Sequence, residues 1–238
     1  MNAGVVEIVF LSLQVAAVAM LWAVPLAYLI AWLLARHDFP GKTLLSALVM
    51  LPLVMPPVAL GLLLLWGFGP NAPLGQFFAS IGLPLAFHWE GAALAAGLVA
   101  LPLIVRPIRL SLEAVDPKLD EALAVAGHAP LKRFLTLHLP LSLPGIVAGL
   151  LLGFAKGLGE FGATITFVAN IPGETRTLSL AIHSALQSVS GAPTVLALCL
   201  VSIALSVVAV AGSEYLLRWL TPLLTGRTGS GGAEPIRA

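Results

Sequence analysis

The chain has 238 residues, 59% of them hydrophobic and only 10% charged, against a charged share of about 25% in soluble domains. So little charge cannot cover the surface of a water-soluble fold of this size, and a formal net charge of +1 gives no overall electrostatic bias toward nucleic acid. The mean hydropathy of +1.01 puts most of the chain in lipid.

Five apolar stretches reach or approach the roughly 20 residues needed to cross a hydrocarbon core of about 30 Å. They run from about Ile8 to Leu34, Leu44 to Phe68, Gly91 to Pro107, Leu143 to Glu160 and Thr194 to Leu217. The first lacks a basic leader and is too long for a secretory signal, so it is expected to stay as a spanning helix. In the second, LPLVMPPVALG brings Pro52, Pro56 and Pro57 together; each removes a helix hydrogen bond and the tandem pair forces a kink or break. Freed carbonyls in lipid need protein or water partners, so Pro56 and Pro57 mark either a movable turn beside a pathway or a static kink.

The segment from Leu74 to Phe87 is interrupted by Gly82 and Pro84 and is too short to cross, so it reads as an outer connection. In the fourth span Gly145, Gly149, Gly153 and Gly157 recur every four residues, a ridge without side chains that lets another helix approach and predicts a close-packed central helix. Thr177 to Val189 is again too short to cross, which makes it an outer, interfacial or re-entrant helix. Cys199 lies in the last apolar run and reads as an inert buried thiol. A permease-like membrane domain over residues 1–224 would be followed by a Gly- and Ser-rich, disordered cytoplasmic tail over 225–238.

Orientation follows from the cations, because Lys and Arg beside spans stay cytoplasmic. Of the 12 Lys and Arg residues, all but Lys156 and Arg176 fall after the first span, between the third and fourth, or after the fifth. Five spans with that bias predict an outer N-terminus, a cytoplasmic C-terminus and a multi-pass protein of the bacterial inner membrane.

The long inner segment, about 111–140, carries its own punctuation. Asp116 suits an N-cap, Pro117 the first helical position, and Asp120 and Glu121 the positive end of a helix dipole. Gly127 suits the left-handed residue that ends such a helix. Pro130 can open a second short helix through Leu131, Phe134 and Leu135, which Pro140 closes, giving a helix, turn, helix unit. Its apolar face of Leu119, Ala122, Leu123 and Ala126 must dock either on its own spans or on a soluble partner.

EALAVAG followed by LKRFLTLHLP resembles the EAA loop of binding-protein-dependent importer permeases, with Glu121, Ala122, Gly127, Leu139 and Pro140 in place and Leu123 where the third alanine usually stands. GFAKGLGEFGATITFVANIPGETRT, from Gly153 to Thr177, is similar to the same region of molybdate permease subunits, as are FPGKTLL and LPLVMPPVALG. Sulfate permeases share the EFG element and the PGET-like turn less completely. The resemblance implies an all-α integral membrane protein with five transmembrane helices and a cytoplasmic coupling loop, in which Glu121, Ala122 and Gly127 meet a cytoplasmic ATPase. It also implies a homodimer working with two ATPase subunits and an extracytoplasmic oxyanion-binding protein.

Lys156 and Glu160 sit one turn apart near the outer end of the fourth span. Ionisable groups there are costly unless paired, hydrated or facing protein, so they form either a structural pair or part of a positive vestibule for a dianion. Glu174 and Arg176, after the turn at Pro172 and Gly173, are either solvated turn charges or, by the resemblance, contacts for the binding protein. His128 and His138 have no metal-ligand spacing, so no metal and no catalytic residue is expected. The chain has no G-x-x-x-x-G-K-[ST] motif, so no cofactor is expected on it and ATP would be hydrolysed by a partner. The competing classes are a sulfate or thiosulfate importer permease, an intramembrane enzyme and a passive channel.

Overall fold

The computed structural model describes residues 3–188 and 191–225, and these build helices only. In chain order they are α1 (Ala3–Arg36), α2 (Lys42–Val54), α3 (Pro57–Phe68), α4 (Pro73–Ser80), α5 (Trp89–Glu113), α6 (Pro117–Val125), α7 (Pro130–Arg133), a π-helical stretch (Phe134–His138), α8 (Leu139–Leu158), α9 (Gly162–Val168), α10 (Leu178–Leu186) and α11 (Ala192–Thr225). Of the tail expected over 225–238, only Thr225, the last residue of α11, lies within the described residues.

Four stretches are long and apolar enough to cross a membrane: Gly4–Arg36, Trp89–Glu113, Pro130–Leu158 and Ala192–Gly212. The most enclosed is α5, where 72% of the most apolar window is buried, against 6% for α11. Small residues explain it: Ala92, Ala93, Ala95, Ala96 and Ala100 let α1 and α8 close on α5 from two sides. Lipid tails are as apolar as the helices, so this close van der Waals fit, more than burial from water, holds the bundle.

The glycine ridge of α8 lies in that seam. A Cβ on Gly149 would stand 2.9 Å from the Ile104 carbonyl oxygen, and one on Gly153 would stand 2.7 Å from Ile104 Cγ1 and 2.9 Å from Met20 Sδ. At Gly157 the nearest atom is the Ala96 Cβ at 3.8 Å, so the seam opens toward that end. The ridge was expected to mark the central helix; it marks instead the face of α8 that lies on the central helix α5.

These contacts fix directions. Gly145 meets Pro107 and Ser111, whereas Gly157 meets Ala96 and Ala16, so α8 runs antiparallel to both α5 and α1. Helices α1 and α5 are therefore parallel, and the chain between them must return across the bilayer. That return is the second expected span, but it is not one helix: α2 and α3 meet at 112° and, at about 1.5 Å per residue, are about 20 and 18 Å long. Neither half crosses alone, and the bent pair together supplies the fifth crossing. Pro56 and Pro57 cause the break, since they leave the carbonyls of Pro52 and Leu53 without their helical donors.

The fourth span also differs from expectation. Pro140 does not close a helix; α7, the π-helical stretch and α8 run on as one helix from Pro130 to Leu158. The Leu139 N–H bonds the Phe134 carbonyl, five residues back, and this widened turn accommodates a proline that lacks an N–H. The projecting unit is therefore α6, its turn and the first turns of a long helix. Short α10 packs through Leu178 and Ala181 against Leu198 of α11, and the Ser12 hydroxyl of α1 accepts from the Leu178 N–H at 2.7 Å.

Candidate coupling surface and translocation seam

Helix α6 forms as its residues dictate. The Asp116 carboxylate accepts from the Lys118 N–H at 2.9 Å and Pro117 occupies the first turn. At the other end Gly127 has φ +80°, the Gly127 N–H bonds the Ala124 carbonyl, and the His128 N–H bonds the Leu123 carbonyl, the paired closure of a Schellman motif. No residue of α6 is buried. Glu121 and Ala122 are exposed, Val125 is 90% exposed, and Leu119, Leu131 and Leu135 are open beside it. Exposed leucine is ordinary on lipid-facing helices, but this patch stands among Asp116, Lys118, Asp120, Glu121, Lys132 and Arg133, charges that cannot lie in hydrocarbon. Of the expected docking face, Leu119, Ala122 and Ala126 stay exposed and only Leu123 is half-buried.

Behind α6 lies a cluster that sequence reasoning missed. Arg133 Nη1 donates to Asp120 Oδ2 at 2.7 Å, and His138 Nε2 lies 3.0 Å from Asp120 Oδ1. Arg36 Nη2 lies 3.2 Å from His138 Nδ1 and 3.5 Å from the Val115 carbonyl. An arginine only donates and an ionised carboxylate only accepts, so His138 is the neutral tautomer with its proton on Nε2. The imidazole is 4% exposed, with its ring edge-on to Trp32 at 4.6 Å. Asp120 had been read only as a dipole partner, Arg36 only as an orienting charge and His138 as a lone side chain. Their partners are 18 and 102 residues apart, so no periodicity announces them.

At the opposite end of α8 two interruptions meet. The helix stops at Leu158, Glu160 is 3% exposed, and α9 starts at Gly162. Glu160 Oε2 accepts from Lys156 Nζ at 3.0 Å and Oε1 accepts from the Ala163 N–H at 3.0 Å, so the carboxylate pins the break and faces the positive end of α9. Against α9 sits α3. A Cβ on Gly61 would lie 2.5 Å from the Ala163 carbonyl oxygen, and one on Gly162 would lie 2.8 Å from Pro57 Cβ. The proline break and the GEFG break thus pack on each other, with Pro56 and Pro57 exposed and Val54 80% exposed. Lys156 keeps a third of its side chain open.

The turn after α9 is built inward. Ile171 O accepts from the N–H groups of Glu174, Thr175 and Arg176, Gly173 has φ +79°, and Arg176 Nε donates to Asn170 Oδ1 at 3.0 Å. Glu174 and Arg176 are half-buried, and the exposed tip is Ile171, Pro172 and Gly173.

Five crossings, one of them broken at Pro56 and Pro57, with a charged helical projection carried at one end, define a multi-pass membrane protein. Residues 23–222 match the model of the binding-protein-dependent transport system inner membrane components. The chain belongs to that family and is a multi-pass inner-membrane protein. It is 48% identical to the molybdenum transport system permease protein ModB of Haemophilus influenzae over 93% of this chain and 95% of that protein. It is 47% identical to the protein of the same name from Escherichia coli K12, over 89% and 93%. The sulfate transport system permease protein CysT of Salmonella typhimurium is 36% identical over 78% of this chain and 67% of its own length. The same fold occurs in a bacterial ABC transporter that imports the acidic polysaccharide alginate (TM-score 0.71, 16% identity, 93% of this chain and 81% of that one). It occurs too in the inward-facing methionine ABC transporter MetNI (TM-score 0.64, 16% identity, 93% and 100%).

Proposed function

We propose that this chain is the membrane-spanning, non-catalytic subunit of an ATP-driven molybdate importer. The observation that carries the cargo is the gap between 48% identity over 93% of the chain to a molybdenum permease and 36% over 78% to a sulfate permease. Two copies would enclose the pathway, two cytoplasmic ATPase subunits would drive it, and an extracytoplasmic oxyanion-binding protein would deliver the anion. Tungstate, with the same tetrahedral shape and charge, should be carried as well. Deleting the chain should abolish high-affinity molybdate and tungstate uptake and spare sulfate uptake. Loss of sulfate uptake with molybdate uptake intact would replace this reading with the sulfate permease one.

In this reading α6 is the coupling helix. Its support is an exposed apolar patch around Val125 and Ala122, with Glu121 free to pair with a basic rim on the ATPase, and Gly127 setting its direction. Pro56, Pro57, Lys156 and Glu160 border the pathway, with Glu160 closing a helix break and Lys156 keeping positive charge at its outer mouth. The exposed tip beside Glu174 and Arg176 would receive the binding protein. The cytoplasmic face is then the end holding Arg36, Lys42 and α6, where cations concentrate. In a Cys199→Ser background, single cysteines at Lys42 and Lys132 should react only with reagent admitted to the cytoplasm, and one at Pro172 should react from outside. Labelling of position 132 from outside would invert the topology and remove the coupling argument.

A further inference from the structure

Helix α6 has little apolar anchorage, with Leu123 half-buried and its other apolar side chains exposed. None of its residues is buried, and it joins the bundle through turns at Ala114–Asp116 and Ala126–Ala129. A docking helix hinged on two turns would swivel under load. The backbone closure at Gly127 aims it, and among the described residues the side-chain bonds that leave α6 and can hold that aim run from Asp120.

From Asp120 the path is continuous. One carboxylate oxygen holds Arg133 in α7; the other holds His138 in the π-helical stretch that leads into α8. The far nitrogen of His138 takes Arg36, the last residue of α1, which also reaches the Val115 carbonyl between α5 and α6. The Nε atoms of Arg36 and Arg133 are buried without an acceptor among the described residues, so each guanidinium is held through its terminal nitrogens alone. The widened turn contributes as well. It sets Phe134 against Trp32 and Tyr28 (5.3 and 5.8 Å) while His138 lies between Arg36 and Asp120, and such turns recur at functional positions in helices.

We infer that Asp120, His138 and Arg36 form a linkage that locks the direction of α6 to the inner ends of α1 and α8, so that displacement of α6 moves those spans. They are positioning residues for coupling, and the linkage rests on the reading of α6 as the coupling helix. Charge-assisted hydrogen bonds in a largely buried cluster resist this swivel better than a flexible loop does. The imidazole is suited to the centre because it accepts on one side and donates on the other, whereas Asn or Gln at position 138 can reproduce only one of the two reaches.

The test compares Arg36→Met, which keeps length but loses every donor, with Arg36→Lys, which keeps a donor, and adds His138→Asn. On the purified full chain carrying Cys199→Ser, spin labels at His37 and Val125 report the distance between the end of α1 and α6. In the transporter assembled in vesicles with its ATPases and binding protein, the readout is ATP hydrolysed per molybdate imported. Arg36→Met and His138→Asn should broaden the distance distribution and raise ATP per molybdate about fivefold, a size usual for coupling networks, with assembly intact. Arg36→Lys should match the parent in both. Unchanged distances in Arg36→Met, or equal behaviour of Arg36→Met and Arg36→Lys, would overturn the linkage; so would broadening without a change in ATP per molybdate. If His138→Asn fails to accumulate, the Arg36 pair decides. A parent transporter that moves no molybdate would instead sink the cargo reading, and the distances would still judge the linkage.

Discussion

Gly61→Val is expected to lower molybdate uptake at least about tenfold, the factor that corresponds to about 1.4 kcal/mol, while the protein still accumulates in the membrane. The new Cβ alone would stand 2.5 Å from the Ala163 carbonyl oxygen, 2.8 Å from Thr166 Cβ and 3.0 Å from Ala163 Cα. Two of those atoms are backbone and cannot turn aside as a flexible side-chain end could. Either α3 lifts off α9 or the Pro56 break opens, at the upper part of the range of about 1–3 kcal/mol that overpacking costs. The strain falls on the contact between α3 and α9 and leaves the α1, α5 and α8 seam untouched, so insertion should survive. Gly67→Val is the control on the same helix, because a Cβ there meets nothing within 4 Å. Equal uptake by the two variants, measured against equal amounts of inserted chain, would show that the seam does not matter to transport.

What the sequence disclosed and what it hid divide along a physical line. Span number and the punctuation of α6 were legible because each depends on local composition: length of an apolar run, a proline at a first turn, a glycine where φ must be positive. Asp116, Pro117 and Gly127 stand where that reasoning puts them. The size of the bend at Met55 was not legible. Tandem prolines guarantee lost hydrogen bonds, but an angle of 112° is set by α9, whose Ala163 and Gly162 accept α3 across a separation of about a hundred residues.

Pro140 misled for the complementary reason. Proline is read as a stop, yet here one extra residue in the preceding turn removes the conflict, and no residue between Phe134 and His138 signals it. The role of His138 depends on three charged groups, Arg36, Asp120 and Arg133, that only the tertiary fold brings together.

Gly127→Val should cost at least as much transport as the seam variant, by a different route. Gly127 has φ +80° and open space around its Cα, so the substitution makes no clash and its whole effect is conformational. A left-handed backbone costs an ordinary residue about 1–2 kcal/mol and a β-branched one more, whereas Asn tolerates it. Escape from that strain breaks the bonds from Gly127 and His128 to Ala124 and Leu123 and turns α6 away from the direction in which Val125 and Ala122 face a partner. Gly127→Val is thus expected to abolish uptake and ATPase association together with the chain still inserted, and Gly127→Asn to retain most of both. Glu121→Lys and Val125→Asp test the surface itself: each leaves the turn intact, and each should weaken ATPase co-purification by reversing the docking charge or by placing a carboxylate where the patch is apolar. Full ATPase association in both surface variants would mean that α6 is not the contact, even if the Gly127 pair behaves as described, because only the surface variants separate the aim of the helix from what it touches.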